Sequence, residues 1–246
     1  MSRSENSLDT KAVLITGGAR RIGATIARVL HTAGMDVIVH YRHSADAALA
    51  LQEELHAHRP GSVTLCQADL TNSGACETLT QCAHQAFGRL DALINNASAF
   101  YPTPVDRATE AQWEDLFAVN LKAPFFLAQA CAPMLAMHNG AIINLADIYA
   151  KRPLPQHPIY SAAKAGLISL TRSLARDLGP DIRVNAIAPG AVLWPETGLS
   201  DANRDEIVQR TPLRRLGSPE DIARTVRFLL QDAPFITGQV INVDGG

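Results

Sequence analysis

The chain has 246 residues, of which 47% are hydrophobic and 19% charged, with a net charge of −2 at pH 7. This balance excludes a protein that holds nucleic acid or an anionic membrane through net positive charge. No run of eighteen apolar residues occurs, so no membrane span is predicted. The polar opening MSRSENSLDT lacks the apolar core of a signal peptide, and we expect a cytoplasmic protein.

Short apolar runs alternate along the chain with longer amphipathic segments. The runs predict strands over Ala12–Thr16, Asp36–Tyr41, Ser62–Gln67, Ala92–Asn95, Ala141–Leu145, Arg183–Ala188 and Gln239–Val243. The amphipathic segments predict helices near residues 21–33, 45–58, 73–87, 110–137, 159–178 and 218–232. Because most runs are continuously apolar, both faces of each strand should be buried, which is typical of parallel sheets. We therefore predict a doubly wound α/β protein of about seven strands, with helices on both faces. One domain should span residues 1–246, with a substrate loop at about 190–217.

A glycine-rich turn, TGGARRIG, joins the first strand to the first helix. Gly17 permits a tight turn, and the helix that follows presents uncompensated N–H groups to an anion. Arg20 and Arg21 place positive charge at this helix start, where the helix dipole opposes it unless an anionic ligand is bound. A turn that needs glycine only for its shape remains the alternative.

The second strand ends in HYRHSAD, where NAD-specific folds often carry an acidic residue for the ribose 2′-hydroxyl. Arg42 and Ser44 suit a 2′-phosphate instead, so NADP is favoured over NAD, although a basic surface loop would look the same. The segments Asp69-Leu70 and Asn95–Ser98 follow two further strands and should reach the same edge of the sheet.

Tyr160 and Lys164 lie four residues apart, hence on one face of the predicted helix. An ammonium near a phenol lowers the phenol pKa, so we expect Tyr160 to exchange protons near neutral pH. Asn120 falls within a predicted helix, where a buried Asn would indicate a water relay or a bend, and a solvent-facing Asn is equally compatible with the pattern.

These motifs together resemble the short-chain dehydrogenase/reductase family over essentially the whole chain, through TGGARRIG, NNAS, VNLKAP, the Tyr160–Lys164 pair, Pro189-Gly190 and TGQVINVDGG. The resemblance implies a Rossmann-type fold, a nicotinamide cofactor and a homotetramer. It implies that Tyr160 is the proton donor, that Lys164 binds the nicotinamide ribose of the cofactor and that Asn120 supports a proton relay. The predicted NADPH contacts are Gly17, Arg20, Arg21, Ile22, His40, Tyr41, Arg42, His43, Ser44, Asp69, Leu70, Asn96, Ala97, Ser98, Tyr160, Lys164, Pro189 and Gly190.

Two departures from the family pattern resemble its pteridine reductase branch, and the chain also resembles the dihydromonapterin and dihydrofolate reductases of the family. Arg21 replaces the middle glycine of the turn, and Asp147 replaces the catalytic Ser thirteen residues before Tyr160. The branch implies that Arg21 lies by the phosphates and substrate, that Ser98 contacts cofactor and pterin, and that Phe100 stacks on the pterin. Trp194 is a further pocket candidate, with a packing role as the alternative.

A carboxylate at position 147 fits one type of chemistry better than another. Beside Tyr160 it would oppose a developing tyrosinate, which is unfavourable for ketone reduction. It suits a C=N bond in a donor-rich heterocycle, where a ring nitrogen must be protonated. We therefore predict NADPH-dependent reduction of dihydropterin, and of oxidised pterin or dihydrofolate as further substrates, by Tyr160, Asp147 and Lys164. Asp147 could otherwise only cap the turn before Pro153.

Two other functions remain open on the sequence. One is a carbonyl reductase of the same family acting on an oxoacyl, quinone or steroid substrate, and the other is a non-catalytic NADP sensor, which would usually lack Tyr160 or Lys164. We predict no metal site, since His56 and His58 form only an isolated pair without further ligands in spacing.

Overall fold

A computed structural model describes residues 7–194 and 201–246. Seven parallel strands form one sheet in the order β3-β2-β1-β4-β5-β6-β7. The strands are β1 Ala12–Ile15, β2 Asp36–Tyr41, β3 Val63–Gln67, β4 Ala92–Asn95, β5 Ala141–Leu145, β6 Arg183–Pro189 and β7 Val240–Val243. The predicted α/β sheet is therefore confirmed, with strand ends that shift by one residue at most.

Alternate residues of a strand point to opposite sides of the sheet. Because both sets are apolar here, helices cover both faces of the sheet. Val13 and Ile15 of β1 pack with helices α1, α2 and α8, whereas Ala12 and Leu14 pack with α3, α5 and α6. The helices are α1 Arg21–Thr32, α2 Ala45–His58, α3 Ala75–Phe87, α4 Glu110–Phe117, α5 Ala123–Ala136, α6 Pro158–Asp177, α7 Asp201–Arg210 and α8 Pro219–Gln231. None of the helices in the described ranges is long and apolar enough to cross a membrane.

The structure differs from the predicted elements in two places. The single helix expected over 110–137 is divided by a π-helical turn at Ala118–Lys122, which separates α4 from α5. The segment 190–217 is not a continuous loop, because α7 lies inside it, and its residues 195–200 fall outside the described part of the chain.

The order of strands fixes where a ligand can bind. β1 pairs with both β2 and β4, so the order reverses between β1 and β4. In sheets of this type the crevice beyond the carboxyl ends of the strands at that point binds the ligand. The turn after β1 and the segment after β4 both lie there, as the sequence predicts.

Candidate active site

The carboxylate at position 147 contacts the predicted proton donor directly. The Tyr160 hydroxyl donates to Asp147 Oδ2 at 2.6 Å. The other oxygen, Oδ1, accepts from the Tyr149 backbone N–H at 2.9 Å and so caps the short 3₁₀ turn Ile148–Ala150 that follows β5. The catalytic and capping interpretations of Asp147 therefore describe two oxygens of one side chain.

Burial raises the pKa of both groups of this pair, whereas nearby charges act on the two groups in opposite directions. Burial raises the pKa of Asp147, while the Tyr149 and Tyr160 hydrogen bonds and the Lys164 charge offset part of that rise. The pKa of Tyr160 is raised well above its ordinary value, first by burial and then by the Asp147 carboxylate. The Ser98 hydroxyl acts in the opposite direction on Tyr160. The predicted lowering of the Tyr160 pKa by Lys164 is therefore wrong for this structure.

The position of Lys164 explains that correction. Its ammonium Nζ donates to the backbone carbonyl of Leu145 at 2.7 Å and lies 5.8 Å from the centre of the Tyr160 ring. Only 2% of Lys164 is exposed, and burial lowers the pKa of its ammonium to about 8. The ammonium is thus held at the end of β5. It stabilises a Tyr160 phenolate less than the four-residue spacing of Tyr160 and Lys164 predicts.

Asn120 is buried at the centre of the π-helical turn. Its Nδ2 donates to the carbonyls of Ala99 and Leu116, both at 2.9 Å. Its Oδ1 accepts from the Ser98 hydroxyl at 2.7 Å. A π-helical turn carries one extra residue, is rare and occurs often at functional sites. Of the two alternatives for Asn120, the structure has the buried one, and the side chain ties the segment after β4 to α4.

Phe100 stands at the outer side of Tyr160. The two rings meet edge to face with 4.8 Å between their centres, and 46% of Phe100 is exposed. Its face is stacked on the imidazole of His157, with 4.7 Å between centres and 10° between planes. His157 is a site residue that the sequence analysis missed, because only its position three residues before Tyr160 could have indicated it.

Most of the predicted cofactor residues line one cavity of about 260 Å³ beside the turn after β1. They comprise Gly17, Arg20, His40, Tyr41, Arg42, His43, Ser44, Asp69, Leu70, Ala97 and Ser98. Helix α1 has no side-chain cap at Arg20, so its first N–H groups remain available to an anion. A Cβ at Gly23 would lie 2.3 Å from the Gly17 carbonyl oxygen, so this close approach of helix and turn requires glycine. These residues fit a dinucleotide.

Two of the predicted cofactor contacts, Asn96 and His40, hydrogen-bond to the backbone of the turn after β1 or of its neighbours. Asn96 Nδ2 donates to the carbonyls of Thr16 and Gly17 at 2.8 and 3.0 Å. His40 is 2% exposed, and its Nδ1 accepts from the Gly17 N–H at 3.1 Å while Nε2 lies 3.1 Å from the Ala68 carbonyl. Both hold the turn in shape.

Arg42, the predicted 2′-phosphate ligand, forms an ion pair with Asp69 at 2.9 Å. Two predicted cofactor contacts from adjacent strands therefore meet across the cleft. The Arg42 and Asp69 side chains are 47% and 24% exposed, so both can reach a ligand placed in the cavity.

Other predicted site residues lie outside that cavity. Arg21 has a left-handed backbone, with φ at 52°, and its guanidinium donates to the Trp194 carbonyl at 3.0 Å. The Trp194 ring lies over the guanidinium of Arg204 from α7, 5.8 Å away. Gly190, which follows Pro189 at the end of β6, donates its N–H to Val243 of β7. Ile22 packs against the sheet.

Comparison with known proteins identifies the family of this chain. The family model described as enoyl-(acyl carrier protein) reductase matches residues 17–246. The chain belongs to the short-chain dehydrogenase/reductase family. It is accordingly an oxidoreductase of the NAD(P)H-dependent type, and the family resemblance seen in the sequence is confirmed.

Curated members of the short-chain dehydrogenase/reductase family differ in substrate. The 3-oxoacyl-[acyl-carrier-protein] reductase FabG of Staphylococcus aureus is 39% identical over 96% of this chain and 98% of its own length. The corresponding reductase of Synechocystis sp. is 36% identical over 98% of both chains. Pteridine reductase 1 of Leishmania tarentolae is 35% identical over 95% of this chain and 94% of its own. Taken alone, these identities favour the carbonyl reductase alternative over the pterin prediction.

Proposed function

We propose that this protein reduces dihydropterins to tetrahydropterins with NADPH. The observation that supports the proposal is the 2.6 Å hydrogen bond from Tyr160 to the Asp147 carboxylate. Whole-chain identity averages over all positions, so a difference of 39% against 35% does not report on the few side chains that contact a substrate. The side chain that contacts the proton donor bears directly on which atom can be protonated.

The chain's own residues suit protonation of a ring nitrogen. Tyr160 keeps its proton at neutral pH, because burial and Asp147 raise the phenol pKa. Asp147, whose own pKa burial raises, can accept or return a proton across the same hydrogen bond. The charge of Lys164 offsets part of the rise in the Asp147 pKa. A bound reduced nicotinamide would supply the hydride.

NADPH, rather than NADH, is proposed on the basis of the basic segment after β2. Arg42, His43 and Ser44 line the cavity beside the turn, and an Arg can hold a 2′-phosphate with two hydrogen bonds. The predicted outcome is a lower KM for NADPH than for NADH. Arg42→Ala should raise the KM for NADPH and leave that for NADH nearly unchanged.

A second candidate is reduction of a 3-oxoacyl thioester, which the higher identities to the FabG reductases favour. It would require hydride transfer to a ketone whose oxygen develops negative charge close to the Asp147 carboxylate. Because like charges in a buried site repel each other, this reaction should proceed slowly unless Asp147 is protonated.

A substrate panel separates these possibilities. NADPH oxidation is measured with a dihydropterin, with dihydrofolate and with an oxoacyl thioester, for the wild type and for Asp147→Ser. We expect turnover of the pterin by the wild type and a loss of about 100-fold or more in kcat/KM in Asp147→Ser. NADPH affinity, measured by fluorescence titration, should stay the same in both proteins.

The exposed Asp181 supplies a matched control, since Asp181→Ser should change none of these values. Turnover of the oxoacyl thioester alone would replace the proposal with the second candidate. NADPH binding without turnover of any substrate would instead indicate a sensor.

A homotetramer is part of the proposal, as the family resemblance implies. It is supported by an apolar face on α4 and α5, where Trp113, Phe125 and Phe126 are 49%, 37% and 42% exposed. These rings surround a surface cavity of about 990 Å³ between α4, α5 and α6, on which a second copy can pack.

A further inference from the structure

Two loops that the sequence separates by more than fifty residues meet at His157. The imidazole of His157 lies nearly parallel to the Phe100 ring, with 10° between their planes. Phe100 in turn touches the Tyr160 ring edge to face. Since His157 directly precedes α6 and Tyr160 lies in its first turn, one helix start orients two of the three rings.

The backbone holds His157 in this place with several constraints. Gln156, the residue before it, has a left-handed conformation with φ at 63°, which is unfavourable for a residue with a side chain. The Gln156 carbonyl accepts from the Thr103 N–H at 2.7 Å and so joins the two loops. Strained backbone that tertiary contacts maintain is concentrated at functional sites.

The imidazole itself is oriented by a hydrogen bond. His157 Nδ1 lies 2.9 Å from the Pro155 carbonyl, which can only accept, so Nδ1 carries the hydrogen. This bond fixes the plane of the ring. The ring therefore offers Phe100 a flat surface of fixed orientation, which the face of Phe100 covers.

We infer that His157 is a positioning residue, which sets the plane of Phe100 and thereby the plane of a flat heterocyclic substrate beside Tyr160. The inference rests on the proposed function, because it assigns Phe100 to the substrate ring. A half-exposed phenyl ring can turn about its terminal torsion unless neighbouring side chains pack against it. His157 stacks on Phe100 and the Tyr160 ring lies nearly perpendicular to it, so the plane of Phe100 is set before substrate arrives, while 46% of Phe100 stays exposed to a substrate ring.

The test compares His157→Leu, which has similar bulk but no flat ring, with His157→Phe, which restores the flat ring without the hydrogen bond to Pro155. With a dihydropterin as substrate, His157→Leu should raise KM about three- to tenfold, the range expected for loss of one aromatic pair, with kcat within about twofold. His157→Phe should return KM close to the wild-type value. His84→Leu, on the exposed side of α3, is the matched control.

Crystal structures of the wild type and His157→Leu provide a readout that does not depend on turnover. The Phe100 ring should turn, or become disordered, in His157→Leu alone. An unmoved Phe100 with wild-type KM would overturn the inference, as would an equal fall in kcat, NADPH affinity and melting temperature. A turned Phe100 in a protein whose wild type does not reduce pterins would uphold the positioning of Phe100 and refute the proposed function.

Discussion

Replacing Asn120 by Ala should destabilise the protein substantially, since this side chain satisfies three groups at the π-helical turn. The substitution removes the donor to the Leu116 carbonyl, which is buried, and to the Ala99 carbonyl, which is partly buried. It also removes the acceptor for the Ser98 hydroxyl. A buried polar group left without a partner costs about 1–3 kcal/mol, and groups that water can reach cost less. The sum is a loss of about 2–4 kcal/mol.

Urea unfolding followed by circular dichroism measures this loss, and the melting temperature should fall by about 6–12 °C for a chain of this size. Gln85→Ala, on the exposed face of α3, is the matched control and should stay within about 0.5 kcal/mol of the wild type. Asn120→Asp keeps an acceptor for Ser98 but cannot donate to the two carbonyls, so it should also be destabilised. A change below about 0.5 kcal/mol in Asn120→Ala would refute the reasoning, because the three hydrogen bonds would then contribute nothing net.

Three further outcomes are expected. Burial lowers the pKa of His40, so the contribution of His40 to the free energy of unfolding is complete above the unfolded pKa of about 6.5 and is lost as pH falls below that value. Urea unfolding at pH 7.5 and 5.5 should therefore show a smaller difference in the free energy of unfolding for His40→Gln than for the wild type. An equal difference in both proteins would contradict this. Because Arg21 has a left-handed backbone, Arg21→Gly should be about 1 kcal/mol more stable than Arg21→Ala, which retains the strain, as thermal unfolding will show; equal melting temperatures would place the strain elsewhere. Phe126→Glu puts a charge on the apolar face of α5 and should reduce the mass measured by light scattering to that of a smaller assembly, while an unchanged mass would exclude this face from the interface.

The sequence predicted the sheet well because its signal is local. The runs AVLI and ALIN are apolar throughout, and burial on both faces follows directly from that pattern. Helix α7 was missed for the same reason: Asp201–Arg210 is mostly polar, with Ile207 and Val208 as its largest apolar side chains, so no periodic stripe marks it. The π-helical turn could not be predicted, since the contacts that hold it reach from Asn120 to the segment after β4.

In the candidate site, too, local sequence patterns predicted some features, whereas contacts between distant segments determined the others. The spacing between positions 147 and 160 was enough to predict that the acid lies beside the phenol, and their hydrogen bond has that geometry. The direction of the Tyr160 pKa shift was predicted wrongly, because it depends on how deeply the ring is buried and on where Lys164 points. The stacking of His157 on Phe100 joins two loops distant in sequence, and no pattern within either loop indicates it.

Groups of the chain itself hold the turn after β1 in shape. The Gly17 N–H donates to the His40 ring, and the Gly18 N–H donates to the His40 carbonyl. The Asn96 side chain donates to the Gly17 carbonyl. The amide protons of the turn should therefore exchange slowly with solvent even without a nucleotide. A pyrophosphate would bind to a preorganised turn, so little conformational entropy is lost on binding and association does not require the loop to order first. Anions of another shape would gain little binding free energy from this preorganisation.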